Sequence, residues 1–201
     1  MKFLLIYIAF ISLIEKKESG INDYDSDLTR ISNDFRENIF NEDECTNLKN
    51  DVNDVADEIE EDLDADDYST EEKQQLTLLL QEAEALKDYI ACVGNCGNSI
   101  PSIEKFNLAN RRVKGNVSIV ILDKYCVDVI SVTIGKYVCY LAENNTINNF
   151  TINYKWATPN GMHNGNGTMG LYGKSVRHIY DNRDKIEQTV ITVSDITCAK
   201  F

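Results

Sequence analysis

Cys45, Cys92, Cys96, Cys126, Cys139 and Cys198 are the residues of this chain best suited to covalent chemistry. Thiols pair in oxidising compartments, so an even set in an exported chain is most simply a disulfide framework involving all six. Read as metal ligands, Cys92-x-x-x-Cys96 would be half a site, but outside the cell the disulfide takes precedence. A second set of residues could carry sugar. Asn116-Val117-Ser118, Asn144-Asn145-Thr146, Asn149-Phe150-Thr151 and Asn166-Gly167-Thr168 are N-x-S/T acceptors, which places Asn116, Asn144, Asn149 and Asn166 as glycosylation sites. Each occupied acceptor must face solvent, because a glycan is bulky and polar.

Other candidates are weaker. Asp62-x-Asp64-x-Asp66 has the alternating carboxylates of a calcium loop, but Asp67 stands where the loop needs glycine and Lys73 where it needs glutamate. It reads as a solvated acidic tip, and no metal site is assigned. His163 and His178 are the only histidines, and imidazoles can share acid–base work near neutral pH. His163 sits in the Gly/Asn-rich stretch Pro159–Gly170 and His178 in a strand pattern, so nothing in the spacing forces them together. There is no G-x-S-x-G, no H-E-x-x-H and no phosphate-cradling glycine loop. We therefore assign no catalytic and no cofactor-binding residue, and expect a protein that is not an enzyme.

The elements that carry these residues follow from charge and periodicity. Met1-Lys2 precedes an apolar run, Phe3 to Ile14, and then the polar stretch Glu15–Gly20, the pattern of a secretory signal peptide over residues 1–19. The run is shorter than the ~20 residues a membrane span requires, and no later apolar run is long enough. The expected location is extracellular, with no membrane span in the mature chain. Residues 20–94 carry 23 acidic against 5 basic side chains, and residues 95–201 carry 8 against 12. This shift divides the chain into an acidic helical region, 20–94, a linker, 95–115, and a β domain, 116–201. So acidic a first half excludes nucleic acid, since phosphate binding needs Lys and Arg. It permits a protein partner with a basic surface.

Within the first region, Cys45, Leu48, Val52, Val55, Ile59 and Leu63 recur at helical spacing, after an earlier stripe of Leu28, Ile31, Phe35 and Ile39, with an interruption at Asn41 to Glu44. Ser69-Thr70-Glu71-Glu72 is a capping box opening a second helix, whose face is Leu76, Leu79, Leu80, Ala83, Leu86, Ile90 and Val93. Gly94 is the expected left-handed terminator. Two such helices joined by a short loop pair antiparallel as a coiled-coil-like hairpin. At ~1.5 Å per residue, Cys45 and Cys92 lie roughly 28 and 33 Å from the turn, so a bridge from Cys45 to Cys92 or Cys96 would close the open end.

After the linker, short Val/Ile/Thr/Tyr-rich runs begin near Val117, Val127, Tyr137, Phe150, Met169, Val176 and Val190. They predict an antiparallel β-sandwich or small β-barrel, so the fold class is α+β. Cys139, Trp156 and Cys198 fall in immunoglobulin order, but Ile196 stands where a tyrosine corner would need tyrosine. Tyr125, Tyr137, Tyr140, Tyr154, Trp156, Tyr172 and Tyr180 are expected mostly in the β core. The functional expectation is a non-catalytic extracellular protein-interaction module; the alternatives are a carrier of a small apolar ligand or lipid, and a secreted hydrolase. Oligomeric state is not fixed by the sequence.

Overall fold

The computed structural model describes residues 2–39, 42–123, 126–159, 161, 164–181 and 192–200, with side chains from residue 20 onward except those of 180 and 181. Among these residues the fold is α+β: four helices and two antiparallel sheets. The helices are α1 (Lys2–Asn38), α2 (Glu42–Asp64), α3 (Thr70–Val93) and α4 (Ile103–Val113). The strands are β1 (Asn116–Ile121), β2 (Asp128–Ile134), β3 (Tyr137–Asn144), β4 (Phe150–Ala157), β5 (Asn164–Leu171), β6 (Ser175–Asp181) and β7 (Thr192–Lys200). Sheet A has the order β1-β2-β3-β6 and sheet B the order β5-β4-β7. Neither closes on itself, which removes the barrel.

Local chemistry explains the helix boundaries. The Ser69 hydroxyl accepts from the Glu72 amide at 3.3 Å, and the Ser69 amide donates to Glu72 Oε2 at 2.6 Å, so the expected capping box opens α3. The end of α3 departs from expectation. Gly94 is right-handed (φ −72°), and the left-handed residue is Asn95 (φ 50°). Glycine is required at 94 for closeness instead: a Cβ there would lie 2.7 Å from both Cys45 Sγ and the Ile90 carbonyl oxygen.

The segment expected to be a linker contains α4. Ser102 caps it by accepting from the Lys105 amide at 3.2 Å, and Phe106, Ala109 and Val113 form its buried stripe. That stripe meets Tyr89 of α3, whose ring lies 5.3 Å from Phe106 and edge-on to Phe35 of α1 at 6.1 Å. The fully buried Tyr89 hydroxyl donates to Asn110 Oδ1 at 2.7 Å, and Asn110 in turn donates to the Gly115 carbonyl, tying α3 to the turn before β1. Because α4 packs this way, the helical and β parts share one core. Ile130, Val132, Ile134, Cys139, Leu141 and Val176 of sheet A join the helix residues in a single apolar cluster. The opposite face of sheet A meets sheet B through Val129, Val138, Tyr140 and Ala142, which pack with Phe150, Ile152, Met169, Leu171 and Val193.

Candidate functional site

Disulfides join Cys45 to Cys96 and Cys126 to Cys198, each with Cα atoms 6.2 Å apart. The first closes the end of the α2–α3 pair by the second of the two routes expected. The second ties the segment before β2 to the last strand of sheet B. Cys92 and Cys139 lie outside both bridges as buried thiols, a correction to the framework of six. Their sulfurs turn to different backbone acceptors: Cys139 donates to the Val93 carbonyl at 3.4 Å, and Cys92 faces the Val176 carbonyl at 4.0 Å. Burial pushes the Cys92 thiol up to about 12.

The four sugar acceptors occupy unlike environments. Asn116 on β1 and Asn166 on β5 are exposed, and Asn149 is half-buried with its Oδ1 accepting from the Gly173 amide at 2.9 Å. Asn144 is 0% exposed. Its Nδ2 donates to the Asn148 and Tyr172 carbonyls at 2.7 and 2.9 Å, and its Oδ1 accepts from the Thr146 amide and hydroxyl. The nitrogen that would carry sugar is spent holding two loops together. That geometry removes Asn144 from the solvent-facing acceptors.

At the tip of α2 and α3, Asp62 turns inward: its Oδ2 accepts from Tyr24 and Tyr68 hydroxyls at 2.9 and 2.6 Å. Burial, followed by these hydrogen bonds, raises both phenols, Tyr68 to about 12. Asp64 and Asp66 remain exposed, so the triplet does not converge on one point. His178 lies on β6 opposite Leu141, half-buried, while His163 falls outside the described residues. Tyr125 also falls outside them. Tyr140 is buried, Tyr137 packs against the helix-side core, and Tyr154 and Trp156 lie between the sheets; Tyr172 is exposed.

Sequence reasoning gave the helix stripes but not the groove between them. Val52, Ala56, Leu80 and Ala83 form the floor of a depression of about 120 Å³ between α2 and α3, rimmed by Asp57, Glu60, Glu84 and Lys87. Along α2, Asp54, Asp57, Glu58 and Glu61 share one exposed face at i, i+3, i+4 and i+7. Among the described residues none of these four, nor Glu60, forms a salt bridge. Cations pin other acids, one of them on the groove rim: Lys105 contacts Glu84 at 3.0 Å, Arg112 contacts Glu82 and Asp25, and Arg30 contacts Asp27 and Asp34 at 3.5 Å. No protein family, curated protein or solved structure matches the chain. Its chemistry therefore rests on geometry alone. An apolar floor with three carboxylates and one lysine on its rim suits a Lys or Arg side chain, which buries its stem and keeps its charge at the acidic edge.

Proposed function

We propose that this chain is a secreted, disulfide-bonded glycoprotein acting as a non-catalytic extracellular interaction module for a partner with a basic surface. In this reading α2 and α3 are a stapled helical hairpin, and sheets A and B form a sandwich that carries it. The observation that supports it best is the α2–α3 groove, with its apolar floor, together with Asp54, Asp57, Glu58, Glu60 and Glu61 of α2, none of which forms a salt bridge among the described residues. Export is supported by the two disulfides, since thiols pair in oxidising compartments. Among the described residues no helix is long and apolar enough to cross a membrane.

The test is binding to immobilised peptide libraries, one rich in Arg and Lys and one rich in Asp and Glu. The wild-type glycoprotein binds basic peptides, and binding weakens as salt rises because exposed charges are screened. Replacing Asp54, Asp57, Glu58, Glu60 and Glu61 together with Asn or Gln lowers affinity for basic peptides at least tenfold. Affinity unchanged by that replacement would remove the electrostatic basis of the reading.

A further inference from the structure

Among the described residues β1 is an edge strand of sheet A with few of the usual defences of an edge. Among these residues it pairs only with β2, and the stretch Asn116 to Leu122 contains no charge and no proline. Four of its apolar side chains are open to solvent: Val117 at 38%, Ile119 at 62%, Val120 at 39% and Leu122 at 57%. Val117 and Ile119 stand opposite Val132 and Ile130, so they continue the helix-facing apolar surface beyond the helices that cover it. A bulge between Ile119 and Ile121 disrupts only the second half of the strand. Asn116 to Ile119 keeps unbroken register, and its outer edge can accept another strand. Soluble proteins blunt such edges with Lys, Pro, bulges or a covering element, because an uncharged apolar edge recruits other chains.

The acceptor Asn116-Val117-Ser118 lies within this pairing-competent stretch, and all three residues are exposed. We propose that a glycan on Asn116 is the missing defence: it stands on β1 and keeps a second copy of the chain from adding its own β1 to sheet A. This rests on the reading of the chain as an exported glycoprotein. The covalent step uses a lipid-pyrophosphate-linked oligosaccharide as donor. A bond forms between Asn116 Nδ2 and the donor's C1, the C1–O bond to pyrophosphate breaks, and the proton lost by the amide balances the charge of the released lipid pyrophosphate. Asn166 differs in setting. It projects from sheet B opposite Lys155, beside the Lys155–Asp195 ion pair at 2.9 Å, where no comparable apolar edge needs cover.

The full chain is expressed through a eukaryotic secretory pathway as wild type, as Asn116→Gln, and as Asn116→Gln with Ile119→Lys. Site occupancy is read by glycopeptide mass spectrometry, fold by circular dichroism and association by sedimentation. Wild type carries sugar on Asn116 and sediments as a monomer. Asn116→Gln keeps the fold and associates, with a dissociation constant at least tenfold lower, and Ile119→Lys restores the monomer by charging the edge. A bare Asn116 beside a sugar-bearing Asn166, or an Asn116→Gln protein as monomeric as wild type, overturns the proposal alone. Bare asparagines at Asn116, Asn149 and Asn166 together overturn the glycoprotein reading beneath it.

Discussion

On its helix-facing side, sheet A buries Ile130, Val132, Ile134, Leu141 and Val176 in one continuous cluster with all four helices. On its other side it meets sheet B through two smaller clusters. The helical layer is further fastened by Arg112, which reaches from α4 to Asp25 of α1 and Glu82 of α3 while its own side chain is only 16% exposed. Sheet B has a thinner interior because β5 is rich in glycine. Trp156 lies over Gly165 and Tyr154 over Gly167, each directly opposite in register, so rings from β4 fill the space that β5 side chains would occupy. A Cβ on Gly165 would come within 2.8 Å of the indole nitrogen. The contrast teaches that similar bridges can do unlike work. The Cys45–Cys96 bridge reinforces a layer already held by packing, whereas Cys126–Cys198 fastens a layer with fewer anchors.

The largest expected effect follows from this difference. Loops of 51 and 72 residues give each bridge a similar entropic worth, about 4 kcal/mol in the chain-entropy account. Replacing Cys126 and Cys198 with Ser should expose the amides of β4, β5 and β7 to hydrogen exchange while those of α2 and α3 stay protected. Replacing Cys45 and Cys96 should cost a similar free energy with no selective opening of sheet B. Equal loss of protection across both layers in both variants would break the comparison.

Next in size is Asn144→Ala, expected to cost about 3 kcal/mol in chemical denaturation, since it strands the Asn148 and Tyr172 carbonyls and the Thr146 amide. The exposed Asn166→Ala should stay within ~0.5 kcal/mol. Gly94→Ala tests the tight end of the helical layer. The added methyl collides with Cys45 Sγ and the Ile90 carbonyl, so we expect a loss of about 1–3 kcal/mol. A neutral result would show that this end is loosely packed.

The smallest effect is pH dependence at the α2–α3 tip. Tyr24 and Tyr68 have phenols raised above their ordinary value of about 10. A raised folded value favours the protonated form, so this contribution is complete below pH ~10 and is lost as pH rises through about 12 for Tyr68. Thermal melts should be flat up to about pH 9 and fall above pH ~10, and a Tyr24→Phe, Tyr68→Phe double variant should show a shallower alkaline fall.

Much of the fold was legible because it is local. The capping box at Ser69, the stripes of the helices and the β-rich runs all announce themselves within a few residues of their own positions. What escaped depends on distant partners. The helix α4 was hidden behind Gly97, Pro101 and the Arg111-Arg112 pair; its signal was the Ser102 cap followed by Phe106, Ala109 and Val113. Gly94 was correctly a helix terminator for a reason no local pattern contains, the approach of Cys45. Asn144 looks like any other acceptor until the loops around Asn148 and Tyr172 close on it. The α2–α3 groove likewise exists only once both stripes are paired.

Sulfur chemistry is central to this fold: two bridges and two thiols sealed in the core. Unfolding the natively purified protein without reductant, alkylating it and mapping its peptides reads this directly. The expected result is alkylation at Cys92 and Cys139 only, with Cys45 joined to Cys96 and Cys126 joined to Cys198. Alkylation at all six cysteines, or a bridge that includes Cys92 or Cys139, would contradict it.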